Sequence, residues 1–363
     1  MGNHHDAVSR RRFLQTIGLA TAGLVAAACS PAGSASNPGS GTAKATVAIA
    51  KANSYDRKLI KTQLQAMLDG IGGLKDVMAH GNRVAIKVNL TGGTATAPLP
   101  GISEIESYLT HPEVVRALIE LLRDSGAKDV FIVEAAYEPE SWPHYGYTEM
   151  AKSVNATIVD LTQAAPYKDF ADTTTTTNPY FYDKLKFNPI LNEIDAFVSV
   201  SKMKCHNVAG VTHTMKNLFG LVPYRFYTLN SGDTYRSAFH GTTEIGKRVP
   251  RVIMDVNRAR KINLSIIDGV LTAEGGEGPW ITALTPVKAN VMFAGKDPVA
   301  TDSVATAAMG FDPTADYPNA PFVNGENHIA MAAKLGLGTN KLEEIKIVGA
   351  SLADVTKKFK PSF

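Results

Sequence analysis

From Val47 onward, short runs of β-branched apolar residues alternate with longer stretches whose apolar residues return every three or four positions. Val84–Val88, Val130–Val133 and Ala156–Val159 have the length and composition of strands. Between the first two lies T-H-P-E-V-V-R-A-L-I-E-L-L-R-D-S-G, residues 110–126. Val114, Leu118, Leu121 and Leu122 share one helical face. Thr110 is placed to cap the start and Glu113 to answer it, Pro112 fits the first turn, and Gly126 supplies the stop. Strand, helix and strand in that order predict a parallel sheet with helices over its faces.

The second half repeats the grammar. Ala196–Val200 reads as a strand running into Ser201–His206, 244–261 as a helix, and Leu264–Asp268 and Val287–Ala294 as strands. Asp297-Pro298 opens another helix, with Asp297 as N-cap and Pro298 at the first helical position. A helix around His328–Leu335 and a strand at Ile345–Val348 follow. The expectation is an α/β fold, a mostly parallel, Rossmann-like three-layer sheet with helices on both faces, in one large domain or two lobes. The polar stretch Ala165–Tyr180, with five consecutive threonines at Thr173–Thr177, predicts an exposed loop or hairpin. No Gly-x-Gly-x-x-Gly run is present, so dinucleotide binding has no direct support.

Ahead of this body, Ser9-Arg10-Arg11-Arg12-Phe13-Leu14 sets a basic cluster before the apolar stretch Ile17–Ala28 and Cys29. That stretch has the length of a secretory signal rather than a membrane span. The pattern resembles a twin-arginine export signal, and Ala26-Ala27-Ala28-Cys29 a lipoprotein cleavage site with Cys29 as the acylated residue. The expected segments are a signal peptide at 1–28, a flexible Ser/Gly/Ala/Pro tether at 29–46, an α/β domain at 47–350 and a tail at 351–363. The export machinery is thus one expected partner, and the mature chain has a lipid anchor but no transmembrane span. Removing 1–28, with three arginines and one aspartate, lowers the formal charge from +3 to +1, which implies no nucleic-acid partner. With Cys29 acylated, Cys205 is the only other thiol, so neither an intrachain disulfide nor an iron–sulfur cluster held by the chain's own cysteines is expected.

Candidate chemistry gathers after predicted strands, where open parallel sheets bind ligands. Lys87 and Asn89 run into Leu90-Thr91-Gly92-Gly93, either an anion-binding loop or a turn beside a snorkelling lysine. Lys202 and Lys204 alternate with Met203 and Cys205, so both ammonium groups point one way in extended chain and would converge on an anion. His206, His213 and Lys216 are candidate proton-transfer groups, with Asn217 beside them. If Gly210 starts a helix, His213 and Lys216 share one side of it. Cys205 reads as a buried, inert thiol rather than a nucleophile. Asp268 ends a predicted strand and leads to Glu274 and Glu277 in a glycine-rich loop; these carboxylates could hold a divalent metal, serve as acid and base, or belong to a solvated loop without function, and no cofactor is identified. Asp302, on an alanine-rich helix, needs a partner, for which a lysine of the basic stretch is the obvious choice.

These blocks, V-A-I-K-V-N (84–89), H-P-E-V-V-R-A-L-I-E-L-L-R-D-S-G-A (111–127), S-K-M-K-C-H-N-V-A-G-V-T-H-T-M-K-N-L-F-G-L-V-P (201–223), D-G-V-L-T-A-E-G-G-E-G-P (268–279) and G-K-D-P-V-A-T-D-S-V (295–304), resemble the DUF362 family over roughly residues 47–350. Many relatives place Pro at the position of Val88 and Thr at that of Cys205, and some add cysteine-dense ferredoxin-like segments that this chain lacks. The family supplies no reaction. In layout the chain also bears a looser likeness to the nickel-pincer-dependent lactate racemase group, with no motif that carries residues across. The leading expectation is an exported enzyme acting on a small anionic substrate, with a divalent metal or preloaded cofactor as an option. The rivals are a solute-binding lipoprotein and a scaffold protein.

Overall fold

Twelve strands are present in the computed structural model, which describes residues 43–95 and 99–363. The signal peptide, most of the tether and Cys29 lie outside these residues. The strands are β1 (Ala45–Lys51), β2 (Arg83–Lys87), β3 (Asp129–Glu134), β4 (Thr157–Asp160), β5 (Ala171–Thr174), β6 (Lys184–Phe187), β7 (Ala196–His206), β8 (Gly210–Val211), β9 (Leu264–Glu274), β10 (Thr285–Val287), β11 (Val291–Gly295) and β12 (Ile345–Gly349). The main sheet runs β12-β1-β11-β9-β7-β2-β3-β4, with β10 beside β9 and β8 beside β7. Along that path every neighbouring pair is parallel except those made by β11, which runs against both β1 and β9. The fold is therefore α/β with a largely parallel sheet.

Alternation along the strands feeds two cores. Val47 and Ile49 of β1 face one layer with Val252, Ile253 and Val304, while Ala48 and Ala50 face the other with Ile60, Leu64, Leu118 and Leu122. Helices Arg57–Gly70 and Pro112–Asp124 cover the second face, and helices Ile245–Ala259 and Pro298–Ala308 the first. All described residues belong to one compact unit, not two lobes. The tether boundary moves slightly, because Ala45 and Thr46 already pair with β12. Residues 351–363 pack back on the body: Lys357 N donates to Ala308 O and Phe359 N to Met309 O. The threonine stretch forms the hairpin of β5 and β6, a separate two-stranded sheet.

Two local readings change: the stretch read as one strand over 287–294 is divided between β10 and β11, with Asn290 at φ 57° breaking the extended chain between them, and one helix cap is exchanged. Asp297 caps its helix through Ala300 N at 2.9 Å. Thr110, however, does not cap Pro112–Asp124. His111 does, its Nδ1 accepting from Glu113 N at 3.1 Å. Thr110 instead links the segment after β2 to the middle of β7, accepting from Asn89 N and donating to Val200 O, both at 3.0 Å.

The central strand β7 is buried along its whole length and extends through His206. Its pairing with β9 is regular to Lys202 opposite Asp268, then slips, so that Lys204 faces Ala273. At the slip Lys202 Nζ lies 2.9 Å from Asp268 Oδ2, with both side chains fully buried. Tyr55 OH completes the group, accepting from Lys202 Nζ and donating to Asp268 Oδ1, each at 2.8 Å. Desolvation pulls the Lys202 pKa down, and Asp268 opposes that shift. We expect Lys202→Met to destabilise the fold by about 3–5 kcal/mol, because it strands Asp268 without a counter-charge, and addition of Asp268→Leu to recover most of the loss. Denaturant unfolding of both variants checks this; a double variant as unstable as the single one refutes it.

Candidate active site at the carboxyl edge of the sheet

The C-terminal ends of β2, β3 and β7 open into a cleft of about 520 Å³. Its floor is a buried ion pair. Lys87 Nζ, at the end of β2, lies 2.8 Å from Glu134 Oε2, at the end of the adjacent β3. It also donates to Val88 O at 2.7 Å and Asn217 Oδ1 at 3.3 Å. Gly220 passes directly over the pair; a Cβ there would sit 2.0 Å from Glu134 Oε1 and 2.6 Å from Lys87 Nζ. Asn217 turns its amide to Lys87 O and Ser199 Oγ, a brace between β2 and β7. Asn89 lines the wall with its buried Oδ1 unpartnered, an acceptor that a ligand or water donor would satisfy.

The basic wall expected from Lys202 and Lys204 does not face this cleft. Met203 and Cys205 do enter the core of one sheet face, as the alternation predicts. The lysines, buried on the other side, have partners of their own. Lys202 is held by Asp268 and Tyr55, and Lys204 Nζ donates to Tyr108 O at 2.7 Å and Glu277 O at 2.8 Å. An ammonium group removed from water needs such partners, so these amines are spent on structure.

Lys216 differs. Its Nζ sits 3.9 Å from the ring centroid of Phe219, and among the described residues it forms neither a hydrogen bond nor an ion pair. Burial brings its pKa down to about 7, with Glu277 opposing and Arg236 and Lys87 assisting. Arg236 is the second cation on the cleft without a carboxylate partner among the described residues. Its Nε donates to Val222 O at 2.7 Å and its Nη2 to Ala135 O at 3.3 Å, leaving further N–H groups free to meet an anion.

Two imidazoles line the same cleft, and their neighbours fix opposite tautomers. His206 Nδ1 accepts from Val208 N and Ala209 N, both at 3.2 Å, which leaves the proton on Nε2. His240 Nδ1 lies 3.0 Å from Arg236 O, which can only accept, so Nδ1 carries the proton and Nε2 a lone pair. Burial lowers both pKa values, His206 to about 3, so both rings are neutral near pH 7. Glu277 accepts from Asn207 N at 2.9 Å and Trp280 Nε1 at 3.2 Å. Burial pushes its carboxyl upward, but His206, these donors and Lys204 outweigh that and hold it below the ordinary value.

The other sequence candidates lie elsewhere. His213 does not join Lys216: the helix starts at His213 rather than Gly210, and the ring is fully buried with Nδ1 3.5 Å from Thr306 Oγ1. Asp302 takes no lysine. It accepts from Thr214 N, Thr214 Oγ1 and Met215 N at 2.9, 2.5 and 3.0 Å, and burial pushes its carboxyl up to about 7. Asp297 adds Thr339 N, at 3.1 Å, to its capping bond. Cys205 is buried, with its thiol pushed up to about 12 by desolvation, so it is no nucleophile. The three proposed metal carboxylates do not converge. Asp268 is paired with Lys202, Glu274 accepts from Lys360 N at 2.9 Å, and Glu277 alone lines the cleft. Among the described residues no group of three or more His, Cys, Asp or Glu is placed to share a metal ion.

Glu134, Tyr137, Arg236 and His240 were missed in the sequence. Glu134 could have been found, since it ends the strand V-F-I-V by the same strand-end logic that singles out Lys87. Arg236 and His240 sit in a polar connection with no motif, and only the folded chain brings them to the cleft.

A thylakoid-associated protein of Synechocystis sp. is 25% identical over 273 residues, spanning 74% of this chain and 75% of that one. Among solved structures, the lactate racemase apoprotein of Thermoanaerobacterium thermosaccharolyticum superposes with a TM-score of 0.42 at 12% identity, covering 74% of this chain and 57% of that one. A Thermotoga maritima protein superposes with a TM-score of 0.34 at 13% identity, covering 65% and 55%. The chain thus spans little more than half the length of these two solved structures. The family described as a domain of unknown function, DUF362, matches residues 84–307, well over half of the sequence, and the chain belongs to that family.

Proposed function

We propose that the protein is an exported, lipid-anchored enzyme that holds the anionic group of a small-molecule substrate and catalyses a proton shift within it. The observation that carries this reading is the pair of neutral imidazoles fixed in opposite tautomers beside two cations without carboxylate partners. Lys216 and Arg236 would take the substrate's carboxylate or phosphate. His240 Nε2, with its lone pair, would accept a proton from the substrate, and His206 Nε2–H would return one elsewhere on it. The proton count balances, and the product is an isomer or epimer. Glu277 would offset the positive charge that appears on His240. A divalent metal is not needed by this scheme, and the carboxylates first considered for one are not placed to share it.

Export and anchoring rest on the leader and Cys29. The thylakoid-associated relative accords with residence at a membrane. No helix among the described residues is long and apolar enough to cross one. A Cys29→Ala variant should therefore move from the membrane fraction to the soluble fraction of the exported compartment; unchanged fractionation would rule out the lipid anchor.

The enzyme reading is tested by incubating the protein in D2O with carboxylates and phosphate monoesters that carry an acidic C–H, and following deuterium uptake by mass spectrometry. At least one compound should exchange, and His206→Ala or His240→Ala should each slow exchange by about 10²–10⁴-fold. Tight binding without exchange across the panel would instead mark a solute-binding lipoprotein.

A pH dependence follows from Lys216. The amine is charged below about pH 7 and neutral above it, so anion affinity should fall as pH rises through that value. Calorimetric titration of sulfate, whose charge is constant across about pH 5.5–8.5, measures this directly, in steps of about half a unit. Lys216→Met should weaken binding and abolish the step. A step that survives in the variant assigns the titration to another group.

A further inference from the structure

Large aromatic rings left in water are unfavourable unless something covers them. Ten large hydrophobic side chains are substantially exposed among the described residues, and three of them, Tyr137, Tyr235 and Trp280, line this one cleft at 40–45% exposure. Lys216 and Arg236, which line the same cleft, are only partly exposed. Two of the rings are held in place. Trp280 donates from Nε1 to Glu277 and meets Tyr108 edge-on, centroids 6.1 Å apart. Tyr235 packs edge-on to His240 at 5.6 Å. Rings fixed this way lose little freedom when a flat ligand stacks on them.

The cleft's volume makes the same point. At about 520 Å³ it falls in the range of sites that enclose whole organic ligands, several times the space that a bare phosphate or a two-carbon acid fills. An anionic group on Lys216 and Arg236 would leave the mouth vacant. A protein partner is a poor match, because the cations are less exposed than the three rings that share the cleft with them.

We propose that the substrate carries a planar conjugated ring joined to its anionic group, the ring lying against Trp280, Tyr235 and Tyr137 while the anion reaches Lys216 and Arg236. This rests on the anion-handling reading above and adds the chemical class of what is attached to the anion. Trp280 and Tyr235 then become specificity-determining residues.

The probes are phenyl phosphate and methyl phosphate, which share the anion and differ in the ring, titrated calorimetrically into the full chain. Wild type should bind phenyl phosphate at least tenfold more tightly. Trp280→Leu should lose most of that preference, phenyl phosphate affinity falling to within a few-fold of methyl phosphate affinity in the same variant. Trp280→Phe keeps a ring but loses the N–H to Glu277, and should retain the preference; its loss in both variants would make Trp280 a prop for Glu277 and overturn the proposal. Equal affinity of wild type for the two probes, with binding that Arg236→Gln still weakens, would overturn the ring and leave the anion site standing. Failure of both probes to bind, or binding indifferent to Arg236→Gln, would sink the anion site and the ring together.

Discussion

The structure depends on how buried amines are satisfied at the carboxyl edge of the sheet. Three lysines, Lys87, Lys202 and Lys204, are fully or almost fully buried there. An isolated ammonium in such surroundings is unstable by several kcal/mol, so each must be matched by a carboxylate or by carbonyl oxygens. Glu134 matches the first, Asp268 and Tyr55 the second, and the carbonyls of Tyr108 and Glu277 the third. These bonds join β2 to β3, β7 to β9, and β7 to the loop that follows β9. They hold the strand ends in fixed relation, which is what a preorganised cleft requires.

The remaining groups inherit their properties from that frame. Because the other lysines are occupied, Lys216 is left on an aromatic ring without a carboxylate, and desolvation can lower its pKa toward neutrality. Lys204 is the more deeply buried of the two and its pKa is also lowered to about 7, yet its bonds to two carbonyls hold it away from the cleft. A similar pKa therefore has a different meaning at the two sites. For Lys216 it leaves an amine that a ligand can meet, and for Lys204 it measures the cost of a structural contact.

The histidines divide in the same way. His206 and His240 each spend one ring nitrogen on the backbone and keep the other for the cleft. His213 is one helical turn from Lys216 in sequence, but it adopts a left-handed backbone, φ 42°, at the start of its helix and is buried against Thr306. Sequence proximity placed it with Lys216, and backbone direction separated them. Asp302 illustrates the converse: its need for a partner was evident from an alanine-rich helix, but the partners proved to be the Thr214 hydroxyl and two backbone N–H groups of the earlier short helix His213–Asn217 rather than a charge.

By itself the sequence determined the layered α/β fold, because strand and helix periods differ and each buries one apolar stripe. It also determined the capping role of Asp297 and the alternation of β7 that sends Met203 and Cys205 into the core. It located the chemistry at strand ends, since that is where a parallel sheet leaves side chains and backbone groups uncovered. Only the tertiary structure decided which of those charges were consumed. Pairing of Lys202 with Asp268 depends on the slip between β7 and β9, and that of Lys87 with Glu134 on β2 lying beside β3 under Gly220. Arg236 and His240 come to the cleft from a connection far along the chain. Periodicity records which way a side chain points from its own element; it carries no record of what the rest of the chain brings to meet it.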